Sequence, residues 1–133
     1  MSIFIDAADA MSTGSLSADD WVPFAYPQDG AIQVYGEVAT FRMLGSAGNT
    51  LAVGLWRCLQ AGMTPVYSSE LGDETFLVLE GAATLHILDT GESFHFVTGD
   101  VGSWCKGTRT QWDVTAPFKK FYVVADRDPP PHV

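Results

Sequence analysis

Short runs of alternating apolar and polar residues fill most of the chain from residue 31 onward. In the run 109–114, for example, Thr110, Trp112 and Val114 share one parity, and charged or amide residues have the other. Turn sequences such as Gly-Ser-Ala-Gly-Asn at 45–49 and Asp-Thr-Gly at 89–91 separate the runs. Regular short strands with such turns predict an all-β sandwich or barrel, and no segment has the period of a long helix. The predicted strands are 31–35, 38–44, 50–59, 64–69, 74–79, 82–88, 93–97, 102–105, 109–114 and 119–125.

The two ends of the chain have a different pattern, which predicts a barrel at 31–126 with an arm before it and a tail after it. In the arm, 1–30, we expect a short strand at 1–5 and a helical turn at 17–21 with Ser17 as its N-cap. Pro23, Pro27 and Gly30 are expected to end any longer element. We expect the arm to pack on the barrel or on a partner subunit. The tail, 127–133, contains three consecutive prolines and is expected to be extended.

Composition and charge argue against several classes of partner. The 133 residues have a formal net charge of −9, which would repel polyanions, so we expect no binding to nucleic acid or to an anionic membrane. Cys58 and Cys105 lie far apart and form no disulfide or metal motif. No stretch is long and apolar enough to span a membrane, and the first residues do not read as a signal peptide. These features together predict a cytoplasmic protein with two free thiols.

Two spaced groups of residues between Gly62 and Val114 carry a family resemblance. The usual first motif of cupins, G-x5-H-x-H-x3,4-E-x6-G, keeps its spacing here in Gly62, Ser68, Glu70, Glu74 and Gly81. The usual second motif, G-x5-P-x-G-x2-H-x3-N, corresponds to Gly99, Cys105, Gly107, Thr110 and Val114. The glycines and the glutamate are kept, whereas serine, glutamate and threonine replace the histidines. The chain therefore resembles the cupin superfamily, which implies a double-stranded β-helix, or jelly-roll barrel, with an N-terminal arm.

Further segments are similar to one cupin subfamily. Leu55-Trp-Arg-Cys58 and the stretches 73–81, 107–114 and 118–122 look like the cupin domains of ethanolamine-utilisation proteins and relatives of ureidoglycine aminohydrolase. Most metal cupins use three histidines and a glutamate. Because those histidines are replaced, we expect no cofactor and no tightly bound metal; at most, Glu70 and Glu74 would bind a divalent cation weakly. Since cupins commonly pair through their N-terminal strands, the resemblance also implies a homodimer.

Strand alternation predicts which of these side chains face the barrel interior. The expected set consists of polar and aromatic residues, namely Ser68, Glu70, Glu74, Thr110, Trp112, Lys120 and Tyr122. A buried glutamate is costly unless it is paired or protonated, and opposing effects of apolar walls and a lysine are typical of acid–base sites. We therefore assign Glu70, Glu74 and Lys120 as hypothetical catalytic acid–base or ligand-orienting residues, and the other four as ligand-binding. The alternative is a structural Glu–Lys or Glu–Tyr pair in the barrel mouth.

The aromatic residues have two interpretations. Trp56, Trp104, Trp112 and Tyr122 would form either an aromatic box for a flat or cationic ligand or a part of the core or of a subunit interface. The parity of Trp112 and Tyr122 places them beside Lys120, so the first interpretation suits these two best.

Three functions are compatible with the sequence, and whether the chain is an enzyme is left open. The first is a metal-independent cupin that binds a small polar metabolite, an amine or a carboxylate, in its barrel. The second is a metal-dependent enzyme, implied by resemblance to the aminohydrolase relatives. The third is a non-enzymatic sensor or assembly module, which predicts a barrel filled by its own side chains.

Overall fold

Strands make up most of the computed structural model, which describes residues 12–131. Two short 3-10 helices, Thr13–Ser15 and Ala18–Asp20, come first. They are followed by β1 (Val22–Gln28), β2 (Ala31–Leu44), β3 (Thr50–Cys58), β4 (Gly62–Met63), β5 (Tyr67–Ser68), β6 (Asp73–Ile87), β7 (Ser93–Val97), β8 (Val101–Trp104) and β9 (Arg109–Asp126). The all-β prediction is confirmed, whereas the expected strand at 1–5 lies outside the described residues. Within residues 12–131, no helix is long and apolar enough to cross a membrane.

Two long strands, β6 and β9, connect the two ends of the barrel. They pair antiparallel from Asp73↔Ala125 to Ile87↔Thr110. The end of β9 also pairs with β3, and its beginning pairs with β4 and β5. The sequence pattern divides β6 and β9 into two strands each, but both are continuous. The register shifts beside Gly81, whose φ of +83° is a left-handed conformation that glycine tolerates, so β6 bends there without ending.

β1 and β2 extend the sheet beyond β3, in the order β1-β2-β3-β9-β6-β7. β1 lies within the predicted N-terminal arm, and the sequence pattern does not predict it. Pro23 and Pro27 argue against a strand, but at the edge of a sheet a proline that lacks its N–H need not remove a ladder hydrogen bond. The helical turn expected before it is the 3-10 helix Ala18–Asp20, where the Ser17 N–H donates to the Asp20 carboxylate at 2.8 Å. The arm boundary at residue 30 stays a prediction.

Aromatic and branched side chains from β3, β6, β8 and β9 form the core. Its buried apolar members are Trp56, Cys58, Phe76, Val78, Ala83, Leu85, Trp104, Trp112, Val114 and Phe118. Burying one large apolar side chain stabilises the fold by about 1.5–3 kcal/mol. The segment directly after β9 contacts the sheet as well, because the Thr50 N–H and hydroxyl both donate to the Asp128 carbonyl, at 2.7 and 2.9 Å.

Candidate ligand-binding cavity

A buried ion pair lies in the barrel interior. Lys120 Nζ donates to Glu74 Oε2 at 2.7 Å, and the two side chains are only 6% and 7% exposed. Glu74 lies opposite Val124 in the β6–β9 register and Lys120 lies opposite Val78, so the two side chains run toward each other along the interior. Taking two charges out of water costs several kcal/mol per ion, on the order of what their mutual attraction returns. The pair therefore depends on its surroundings for stability.

Four aromatic rings surround the ammonium group of Lys120. Its Nζ lies 4.8 Å from the ring centroid of Phe76, and 5.1, 5.3 and 5.0 Å from those of Trp56, Trp104 and Trp112. The faces of these rings carry partial negative charge, so contacts within about 6 Å stabilise a cation. Three of the four residues expected to form an aromatic box, Trp56, Trp104 and Trp112, thus surround the chain's own lysine and also belong to the core, as the alternative interpretation expects. A role of these rings in ligand binding stays a prediction.

Hydrogen bonds fix two of these tryptophans. The Trp104 Nε1–H donates to Ser69 Oγ at 2.6 Å, and the Trp56 Nε1–H donates to the Tyr35 carbonyl. Buried indoles that donate in this way keep one ring orientation. The orientation of both rings is therefore fixed by the chain itself.

A cavity of about 370 Å³ adjoins the ion pair. Its charged lining residues, among those the structure describes, are Glu74 and Lys120, and most of its other polar lining groups are hydroxyls of threonine and tyrosine. The apolar part of the wall comes from Val22, Pro23, Phe24, Ala25, Val38, Met43, Ala52, Trp56, Leu71, Trp104, Trp112 and Val124. The cavity is therefore mainly apolar, and the Glu74–Lys120 pair is its charged part.

An aromatic cluster holds β1 over this cavity. The Phe24 ring centroid lies 5.8 Å from that of Tyr35 and 5.7 Å from that of Tyr67. Tyr26, two residues after Phe24 on β1, donates from its hydroxyl to Glu70 Oε2 at 3.2 Å. The strand that the sequence pattern does not predict thus forms one wall of the site.

The tyrosine hydroxyls of the cavity stay protonated. Burial raises the pKa of Tyr67 and that of Tyr122 well above the usual range, and the negative charge of Glu74 raises both further. A hydrogen bond with the Thr40 hydroxyl opposes the rise in the pKa of Tyr122 only in part. Both phenols are therefore able to donate hydrogen bonds throughout the physiological pH range.

The structure separates the seven predicted site residues. Four of them line the cavity, namely Glu74, Trp112, Lys120 and Tyr122. Ser68 and Thr110 are buried, at 9% and 1% exposure, but belong to the β5–β9 pairing outside the cavity lining. Their assigned role in ligand binding stays a prediction that their position does not favour.

The structure corrects the expectation that Glu70 faces the barrel interior, because this side chain is exposed. β5 ends at Ser68, and the Glu70 N–H donates to the Ser68 carbonyl at 2.7 Å, which closes a tight turn. Alternation stops at this turn, so Ser69, at 2% exposure, is buried directly after the buried Ser68. Glu74 is left as the acid of the cavity.

Sequence reasoning did not single out several residues of the wall. Tyr35 and Tyr67 line the cavity, and so do residues at the start of β1. A run of widely spaced tyrosines was the available signal, but nothing local indicates that they meet. The tyrosines come together because β1 pairs with β2, and side chains of both strands contact Tyr67 of β5.

The residues of this site do not fit a bound metal. The Lys120 ammonium already binds Glu74, the carboxylate that lines the cavity among the described residues. A metal ion at the same carboxylate would lie beside a like charge in a medium of low dielectric constant. Among residues 12–131, no three histidine, cysteine, aspartate or glutamate side chains cluster in a way that could hold a metal ion. The positive charge beside Glu74 is therefore that of the Lys120 ammonium and not that of a metal ion.

Known proteins match the chain both in sequence and in fold. A model of the EutQ-like cupin domain family matches residues 45–122. No curated protein matches. The ethanolamine utilization protein Q (EutQ) structure from Salmonella typhimurium is 16% identical, with 81% of this chain and 97% of that chain covered and a TM-score of 0.56.

Two other solved structures have a similar fold. The Clostridium difficile EutQ protein is 18% identical, with 68% of this chain and 61% of that chain covered and a TM-score of 0.53. The Cnp3 cupin domain of Schizosaccharomyces pombe is 14% identical, with 80% and 88% covered and a TM-score of 0.57. At these identities the likeness concerns the fold alone, and it confirms the predicted jelly-roll barrel.

Proposed function

Since the chain belongs to the EutQ-like cupin domain family, we propose that its barrel binds a small organic molecule in the cavity beside Glu74 and Lys120. The observation that carries this proposal is the open volume of about 370 Å³ whose lining includes a buried ion pair. Ligand pockets in the mouths of β-barrels are usually apolar, with a few convergent polar groups. Open volume and buried charge both lower stability, so a barrel that served only as a scaffold would gain from filling this space.

A ligand with an apolar body and one polar end suits the cavity better than a wholly polar metabolite. The walls are tryptophan, phenylalanine and aliphatic side chains, against which a polar group would lose its hydration without replacement. The polar end of the ligand would lie at Lys120, Glu74 and Tyr122. This narrows the expectation of a small polar metabolite.

The other hypotheses have less support. The metal-dependent enzyme has less support because, among the residues that the structure describes, no group of three ligating side chains could hold a metal ion. The sensor or assembly module predicts a barrel filled by its own side chains, and the cavity argues against that form of it. Acid–base catalysis by Glu74 and Lys120, the homodimer and the cytoplasmic location all stay predictions.

A ligand screen with two glutamate variants tests the proposal. Wild-type protein would be screened by thermal shift against small aromatic and aliphatic metabolites, and the compounds that raise Tm would be measured by calorimetry. Glu74→Gln changes the charged part of the cavity, whereas Glu80→Gln changes an exposed carboxylate on the same strand. We expect Glu74→Gln to change the affinity at least tenfold, because it alters the charge beside Lys120, and Glu80→Gln to leave the affinity unchanged. A screen without any binding compound, or equal affinity for Glu74→Gln and wild type, would refute the proposal.

A further inference from the structure

The charged group of the cavity that attracts a cation is already engaged. The Glu74 carboxylate and the faces of the lining tryptophans Trp56, Trp104 and Trp112 converge on the Lys120 ammonium. A second cation beside these groups would meet the like charge of Lys120. Because the cavity is mainly apolar, this repulsion is screened much less than in water.

The groups that are left over include several hydrogen-bond donors. An ammonium has three N–H donors, and the 2.7 Å contact with Glu74 engages one of them. Tyr67 and Tyr122 also belong to the lining, and the raised pKa of each keeps its hydroxyl protonated. The cavity thus offers several donors, whereas one oxygen of its carboxylate acceptor already binds the ammonium.

Resting on the proposed function, we infer that the cavity selects a ligand whose polar end is an oxygen acceptor, a carboxylate or a carbonyl, and excludes amines. The oxygen accepts from the Lys120 ammonium and the tyrosine hydroxyls, and the apolar body lies against the tryptophan and aliphatic walls. The sequence is compatible with either an amine or a carboxylate as the ligand. The arrangement of charges in the cavity favours the carboxylate, which is a hydrogen-bond acceptor.

Three probes of similar shape test the charge preference. Phenylacetate, phenylacetamide and 2-phenylethylammonium place an anionic, a neutral and a cationic end on the same ring, and calorimetry at neutral pH compares them. We expect the first two to bind at least tenfold more tightly than the third, and the ratio between them separates carboxylate from carbonyl recognition. Tighter or equal binding of the ammonium probe would overturn the inference and leave the proposed function standing. Failure of all three to bind would count against both.

Removing the lysine should invert the preference. Lys120→Ala vacates the space of the side chain from Cγ to Nζ, which propylammonium matches atom for atom. We expect propylammonium to raise the Tm of Lys120→Ala, and 2-phenylethylammonium to bind this variant in preference to phenylacetate. Lys119→Ala is the matched control, because Lys119 is adjacent on β9 but pairs with the exposed Glu80 at 3.8 Å. This control should keep the wild-type preference.

A milder variant keeps the inference testable if Lys120→Ala does not fold. Tyr67→Phe removes one donor hydroxyl from the cavity and leaves the ion pair intact. We expect it to weaken phenylacetate binding severalfold relative to wild type. Unchanged phenylacetate affinity in Tyr67→Phe, or a Lys120→Ala protein that propylammonium does not stabilise, would contradict the assignment of these donors.

Discussion

The Glu74–Lys120 pair should couple β6 to β9 far more strongly than a second ion pair that joins the same two strands. Glu80 and Lys119 lie 3.8 Å apart with side chains 48% and 34% exposed, whereas Glu74 and Lys120 lie 2.7 Å apart with side chains at most 7% exposed. Methionine at each position, singly and in pairs, removes the charge while keeping an unbranched side chain. The two pairs therefore form matched double-mutant cycles.

The magnitudes follow from burial. Truncating one partner of the buried pair leaves an uncompensated charge in the aromatic interior, which costs about 3–5 kcal/mol. The double variant Glu74→Met/Lys120→Met removes both charges and should lie within about 2 kcal/mol of wild type, because buried pairs are often replaced by apolar residues at little net cost. The coupling free energy should thus be at least about 4 kcal/mol in magnitude. For the exposed pair, about 0.2–1 kcal/mol is expected, and less at high salt.

Urea unfolding measures both cycles. Trp56, Trp104 and Trp112 surround Lys120, so their fluorescence follows the loss of this part of the barrel. Linear extrapolation gives the free energy of unfolding of each variant, and the cycle isolates the pairwise contribution. A buried coupling no larger than the exposed one, or a double variant less stable than either single variant, would refute the reasoning that the two side chains stabilise each other as ions.

Two further predictions concern the thiols and the bend in β6. Burial raises the pKa of the Cys58 thiol to about 11, although the charge of Lys120 opposes this rise, so at pH 8 only about one Cys58 thiol in a thousand is the reactive thiolate. Iodoacetamide should therefore modify the exposed Cys105 in folded protein and both cysteines in urea. Mass spectrometry that finds equal modification rates for the two cysteines in folded protein would contradict this. Gly81→Ala should lower the free energy of unfolding by more than about 2 kcal/mol, and Gly91→Ala by roughly 1 kcal/mol. Both glycines have a left-handed φ, but of the two only Gly81 lies where an added Cβ meets the Pro117 carbonyl. Equal shifts of Tm for the two variants in thermal unfolding would contradict this reasoning.

The sequence by itself determined the all-β class, the turns and the direction of several interior side chains. Side chains alternate between the two faces of a strand whatever its partner is, so parity alone was enough to place Glu74, Trp112 and Lys120 inside. Glu70 marks the limit of this reasoning. Alternation ends where a strand ends, and the tight turn that turns Glu70 outward is closed by a backbone hydrogen bond that no local pattern specifies.

Only the tertiary structure decided what these interior residues form together. Glu74 and Lys120 are 46 residues apart in the chain and meet because of the β6–β9 register, which depends on long-range pairing. The same pairing brings tryptophans from three strands around the ammonium, so the aromatic box contains the chain's own cation. The sequence pattern does not predict β1 for a related reason. Proline has no backbone N–H, so it opposes a strand only at a position where the sheet needs that donor. Whether the donor is needed depends on whether the strand lies at the edge of the sheet.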